Sequence, residues 1–172
     1  GIKKWGNDIL EILENGNIGL KNPFHPDNSP ADLIKIIKSL NERGISCPVL
    51  LRVTDYLAFR IKQINNSFFR AIREIRYKGE YKGVFPVKVN QQAQVIDRIV
   101  EFGKEFDFGL EVGSKPELLI ALAHDLSANS TIICNGIKDR DFIHLAMLSI
   151  KIGFKTILVL ESPRELDLLI KI

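Results

Sequence analysis

From Cys47 onward the chain repeats one pattern: a short apolar run, a turn, then a stretch with apolar residues at helical spacing. "PVLLRV" precedes a stretch carrying Leu57, Ile61, Ile64, Phe68, Ile72 and Ile75, and "GVFPVKV" precedes Val95, Ile96, Ile99 and Val100. "FGLEVG" is followed by "SKPELLIALAHDL", "TIICNG" by Phe142, Ile143, Ala146, Met147 and Ile150, and "TILVLE" by "SPRELDLLIKI". Short apolar runs suit buried strands, and the helical period turns one apolar stripe inward. Ser114-x-x-Glu117 and Ser162-x-x-Glu165 place capping boxes at two of the strand-to-helix turns. Strands alternating with helices require right-handed crossovers and a parallel sheet. The expectation is an α/β protein of about five βα units.

Two architectures accommodate such units: an open doubly wound sheet, or the first part of a (β/α)8 TIM barrel. The open dinucleotide-binding sheet carries Gly-x-Gly-x-x-Gly after its first strand. Here the first run ends "RVTDY", without glycine, and no Walker-type Gly-x-x-x-x-Gly-Lys occurs. A complete barrel commonly exceeds about 200 residues, so five units form an incomplete one. The chain lacks an initiator Met and stops at "ELDLLIKI", within an expected helix. It therefore reads as a segment of a longer protein.

Ahead of the repeats, "ILEILENGNIGL" (residues 9–20) places apolar runs on either side of Asn15-Gly16, a hairpin signal. "NPFHPDNSP" is a loop, and Ser29-Pro30 is expected to open a helix, with Ser29 as N-cap and Pro30 in its first position. Leu33, Ile36, Ile37 and Leu40 give that helix its apolar face, and Gly44 closes it. The domain reading is a hairpin and loop segment over residues 1–28, and the barrel portion over 29–172.

Composition narrows the function class. Of 172 residues, 24 are basic and 21 acidic, a formal charge of +3, too balanced to point to nucleic acid or an anionic membrane as partner. No apolar run approaches the roughly 20 residues of a membrane span and no signal peptide opens the chain. Cys47 and Cys134 lie far apart in apolar contexts and read as buried thiols of a reducing, cytoplasmic compartment.

The polar residues within the strands carry the chemistry. Strand side chains alternate between faces. Phe85, Val87 and Val89 share an expected helix-covered face, leaving Lys88 opposite with Val84 and Pro86. Phe108, Leu110 and Val112 take the helix side, leaving Gly109, Glu111 and Gly113. Arg52 lies opposite Val49, Leu51 and Val53; Asn135 lies opposite Ile132 and Cys134; Glu161 ends the fifth run. In a barrel that face is the interior, and sites are built at its C-terminal rim. Lys88 is thus expected at the mouth, with Glu111 on the neighbouring strand as counter-charge. Two readings of Lys88 stand: an imine-forming amine, or one half of a structural ion pair snorkelling to the rim. His25, His124 and His144 fall in a loop or on helices, none at a strand end.

"FPVKVNQQ", "FGLEVGSKPELLIALA" and "ICNGIKDRDFIHLA", together with "KKWG", "CPVLLRVTD" and "ESPRELDLL", resemble the biosynthetic arginine decarboxylases of bacteria and plants, over nearly the whole chain. These are pyridoxal-phosphate enzymes with an alanine-racemase-like barrel. The resemblance implies that Lys88 is the Schiff-base lysine holding pyridoxal 5'-phosphate. It implies conversion of L-arginine to agmatine and carbon dioxide, the cofactor acting as electron sink, for polyamine (spermidine) biosynthesis. It implies that Glu111 lies beside the cofactor lysine, while a structural pair remains the other reading. Asn135 either approaches the cofactor or caps its helix. Ser114 and Glu117 are accounted for by capping, and Arg52 by an interior ion pair.

The resemblance further implies a homo-oligomer, a dimer or higher, with residues crossing between subunits. The hairpin of residues 9–20 would belong to a separate β-domain completed by later strands. The family's glycine-rich phosphate-binding segment, ring-stacking histidine and substrate-recognising residues are absent, so this segment alone is expected to be inactive. Family members are described as using magnesium, for which no ligand set is visible. The alternatives are a same-fold decarboxylase acting on ornithine, lysine or diaminopimelate, and a non-catalytic barrel homologue acting as a binding protein.

Overall fold

The computed structural model describes residues 1–6 and 8–172, with Ile2 and Lys3 described by their backbone. The chain divides into two units, Gly1–Phe59 and Arg60–Ile172.

In the first unit α1 (Ile2–Trp5) is followed by β1 (Leu10–Ile12), β2 (Ile18–Leu20), β3 (Ala31–Asp32) and α2 (Leu33–Glu42). β1 and β2 form the expected hairpin, pairing Leu10 with Leu20 and Ile12 with Ile18. Gly16 takes φ +80° in its turn, a conformation that favours glycine. β3 then pairs antiparallel with β2, Gly19 opposite Asp32 and Leu20 opposite Ala31. That pairing moves the start of the helix. The N-cap is Asp32, not Ser29, because residues 31 and 32 are held extended in the sheet. The Asp32 carboxylate accepts from the backbone N–H of Ile34 (2.9 Å) and Lys35 (3.2 Å).

Asp32 also fastens the hairpin turn. Asn17 Nδ2 donates to it at 2.9 Å and Asn15 Nδ2 at 3.1 Å. Asn17 first, and then Asn15 and the two backbone amides, hold its carboxyl at about 2 against an ordinary 3.8, in spite of its burial. A lowered folded value means that this stabilisation is complete above pH 3.8 and is lost as pH falls through about 2. Hydrogen exchange at Ile34 and Lys35, corrected for intrinsic rates, should lose protection over that interval. An Asp32→Ala variant should show no such step. Equal protection in both proteins throughout would remove Asp32 from this role.

The run "PVLLRV" forms no strand. Residues 48–53 belong to neither helix nor sheet, and Leu50 is 72 % exposed. The run has a strand's composition, but a strand exists only where a neighbour completes its hydrogen-bond ladder. Among the described residues none pairs with it. α3 (Thr54–Ile75) begins directly afterwards and runs across the boundary between the units.

The second unit alternates as expected: β4 (Val84–Pro86), α4 (Ala93–Gly103), β5 (Gly109–Val112), α5 (Lys115–Leu122), β6 (Thr131–Cys134), α6 (Arg140–Lys151), β7 (Lys155–Leu158) and α7 (Pro163–Ile170). The strands lie in the order β4-β5-β6-β7, each pair parallel. In the register Phe85, Leu110, Ile132 and Thr156 form one row, and Pro86, Glu111, Ile133 and Ile157 the next. Because side chains alternate and parallel partners point the same way, alternate rows belong to opposite faces. Leu110, Val112, Ile132 and Cys134 are fully buried with Ile96, Leu118, Phe142 and Ala146 of the helices. The other face carries Glu111 and Ile133.

Gly109 marks a close approach within this sheet. A Cβ there would lie 1.9 Å from the Thr131 carbonyl oxygen, so a side chain requires the backbone to move. Gly109→Ala should destabilise the protein by about 1–3 kcal/mol, the usual cost of overpacking. The shift in denaturation midpoint checks it, and an unchanged midpoint would show that β5 and β6 part without cost.

Candidate functional site

The strand bearing Lys88 ends two residues before it. Pro86 closes β4, and Val87–Val89 form a single 3-10 turn. A proline lacks the N–H that would continue the ladder. The turn also breaks the alternation: Val87 is fully buried, whereas Val89 is 68 % exposed. The expected sharing of a face by Phe85, Val87 and Val89 therefore fails at Val89, because a turn of about three residues replaces a period of two. Lys88 is consequently at the rim and not in the core. Its side chain is 61 % exposed, so the cost of burying an ammonium does not arise.

Glu111 occupies the opposite situation. It lies within β5, 7 % exposed, on the face away from the helices. Its Oε1 is 3.4 Å from Lys88 Nζ, as the sequence suggested. Its Oε2 is buried and receives no hydrogen bond from any described residue. An ion pair with one partner so exposed contributes about 0–1 kcal/mol, which does not offset a buried carboxylate oxygen without a donor. A purely structural pair leaves that atom unexplained. An accessible primary amine beside a carboxylate oxygen lacking a donor suits a ligand carrying an aldehyde and a hydrogen-bond donor. The residues present therefore fit pyridoxal phosphate.

Asn135 follows β6 at the same end of the sheet, half-buried, its N–H donating to the Val112 carbonyl at 2.8 Å. It does not cap its helix. Asp139 does, accepting from Phe142 N at 2.8 Å. Ser114 and Glu117 behave as capping predicts: Ser114 caps α5, and Glu117 Oε2 accepts from Gly113 N at 2.8 Å. Arg52 lies in the first unit, within residues 48–53. His124 is tied to the Ile120 carbonyl and Asp97, and His144 is exposed on α6. Cys134 is buried as expected, its thiol pushed up to about 11 by burial; Cys47 is exposed, contrary to expectation. Among the described residues no group of three or more His, Cys, Asp or Glu is placed to hold a metal ion.

One buried pair escaped the sequence reading. Lys138 and Glu165 lie 3.3 Å apart, with side chains 0 % and 3 % exposed. "NGIKD" reads as a loop in which a lysine is ordinarily solvated. The only sequence signal was Glu165 in its capping box.

The model of the family described as pyridoxal-dependent decarboxylase, pyridoxal binding domain, matches residues 61–172. A biosynthetic arginine decarboxylase of Gloeobacter violaceus is 45 % identical over 170 residues, covering 99 % of this chain and 26 % of that protein. One from Prochlorococcus marinus matches with the same identity and coverage. The chain thus spans about a quarter of the length of these curated relatives. The crystal structure of a biosynthetic arginine decarboxylase from Campylobacter jejuni superposes with a TM-score of 0.89 at 33 % identity, covering 99 % of this chain and 28 % of that one. A diaminopimelate decarboxylase from M. jannaschi shares the fold, with a TM-score of 0.68 at 19 % identity, over 97 % of this chain and 33 % of that one. With the family model covering the parallel sheet, its helices and the Lys88–Glu111 site, the chain belongs to the pyridoxal-dependent decarboxylase family.

Proposed function

We propose that this chain is the N-terminal part of an arginine decarboxylase that converts L-arginine to agmatine and carbon dioxide for polyamine biosynthesis. The observation that carries the proposal is Lys88 Nζ, exposed at the C-terminal end of a parallel sheet, 3.4 Å from a buried glutamate with an oxygen lacking a donor. The names of the most similar relatives support arginine as substrate. Bound pyridoxal phosphate would supply an electron sink for the pair released when the α-carboxylate leaves.

The rest is the work of this chain. Lys88 would hold the cofactor through its amine and, once exchanged for substrate, stand close enough to move a proton. Glu111 would accept a hydrogen bond at Oε2 and keep a negative charge beside the lysine. Asn135 would border the cofactor from the end of β6. No role is proposed for magnesium. The complete protein would be a dimer or larger, in the cytoplasm, and this segment alone inactive. No helix of the described residues is long and apolar enough to cross a membrane. The small sheet of β1, β2 and β3 supports a β-domain separate from the barrel, and because β3 (Ala31–Asp32) belongs to that sheet the division would lie beyond Asp32 rather than at residues 28 and 29.

The test is turnover by the complete protein supplied with pyridoxal phosphate. Arginine, ornithine, lysine and diaminopimelate are compared by carbon dioxide release and amine product. Arginine should give the highest kcat/KM, with agmatine formed. A higher value for another substrate would move the assignment to that amino acid, and no release from any would favour a non-catalytic homologue.

A further inference from the structure

We infer that Lys138 and Glu165 are positioning residues, which hold the turn after β6 against the cofactor site from beneath. The inference rests on the pyridoxal reading of that site. In each of the turns after β5, β6 and β7, the N–H of the residue preceding the N-cap donates to a buried glutamate. Gly113 N donates to Glu117 Oε2 at 2.8 Å, and Glu161 N to Glu165 Oε2 at 2.9 Å; in both cases the carboxylate belongs to the helix that the turn opens. α6 has Phe142 where those helices have glutamate. Its turn uses the next helix instead: Lys138 N donates to Glu165 Oε1 at 2.8 Å. Glu165 therefore serves two turns at once.

The ammonium of Lys138 completes the arrangement. It lies 3.3 Å from Glu165 Oε2 and donates to the Gly136 carbonyl. Gly136 takes φ +74°, and a Cβ there would come within 3.3 Å of the Gly113 carbonyl oxygen. Hydrogen bonds and the ion pair thus run from α7 through Lys138 to Gly136, whose backbone lies close to that of Gly113, two residues beyond Glu111. Asn135 precedes Gly136 in this turn, its own N–H bonded to the Val112 carbonyl. A buried ion pair adds little stability over apolar residues of the same size. What a satisfied buried network does provide is a single fixed geometry. Here the geometry fixed is that of the strand ends bearing Glu111 and Asn135.

The experiment uses the complete protein and titrates pyridoxal phosphate by absorbance and fluorescence, with thermal unfolding measured in parallel. Lys138→Met alone leaves a buried carboxylate uncompensated and should lose stability. The double variant Lys138→Met with Glu165→Gln removes both charges and should recover part of that stability. The remainder stays lost because the amide nitrogen cannot accept from the second of the two backbone N–H groups that Glu165 serves. Its affinity for pyridoxal phosphate should nevertheless stay about tenfold to a hundredfold weaker, the scale of losing an outer partner that orients the groups of a binding site, because the bond to Gly136 is gone. Gly136→Ala disturbs the same turn without touching the charges and should weaken the cofactor likewise. Affinity equal to wild type in both the double variant and Gly136→Ala would overturn the inference. So would a loss that merely tracks stability and vanishes in the double variant. A wild-type protein that binds no pyridoxal phosphate would overturn the cofactor reading itself, and this inference with it.

Discussion

Replacing Lys88 by alanine in the complete protein should lower kcat by at least about a hundredfold, the lower end of what a positioned proton-transferring side chain contributes. Stability should fall by about 1–3 kcal/mol, because the substitution removes the ammonium beside the buried Glu111 carboxylate. Lys88→Arg separates the two readings of this residue. Arginine keeps the positive charge beside Glu111 but cannot condense with an aldehyde at neutral pH. If Lys88 is the cofactor-holding amine, Lys88→Arg is as inactive as Lys88→Ala. If Lys88 only balances Glu111, Lys88→Arg should be close to wild type in activity and cofactor content.

The second large effect is one of stability. Lys138→Met should destabilise the protein by about 3–5 kcal/mol, the usual consequence of removing one partner of a buried pair. Burial by itself would push the Glu165 carboxyl up. The backbone N–H groups of Glu161 and Lys138, with the Lys138 ammonium, outweigh it and hold the group below its ordinary 4.5. With the folded value lowered, the contribution is complete above pH 4.5 and is lost as pH falls below it. Wild type should therefore show an acid-side loss of stability from this group that the neutral double variant lacks. Thermal unfolding of the three proteins as a function of pH checks both statements. Equal stability of Lys138→Met and wild type at neutral pH would show that the pair is not sealed from water.

Much of the second unit was legible because its determinants are local or periodic. The alternation of Leu110 and Val112 with Gly109 and Glu111 survives into the structure, since a parallel register keeps like faces together. Ser114 and Ser162 cap their helices through bonds spanning three residues. The failures have tertiary causes. Ser29 yielded to Asp32 because β3 pairs with a strand over ten residues earlier, and two asparagines of the hairpin turn converge on the same carboxylate. Residues 48–53 have a strand's composition, but composition does not supply a partner.

The site was legible in part for the same reason. The proximity of Lys88 and Glu111 follows from strand adjacency, which the βα order implies. The 3-10 turn that lifts Lys88 to the rim does not follow from alternation, although Pro86 was its local signal. Lys138 was invisible because its burial depends on a carboxylate from the next helix, 27 positions away in sequence.

The proposed attachment of pyridoxal phosphate to the Lys88 amine is open to direct chemical test. Its most direct test is to incubate the complete protein with the cofactor, reduce with borohydride, and map the modified peptide by mass spectrometry. A pyridoxyl group is expected on Lys88, within "FPVKVNQQ", and none on Lys138, which is sealed against Glu165. A folded protein whose Lys88 emerges unmodified, or whose adduct lies on another lysine, would contradict that attachment.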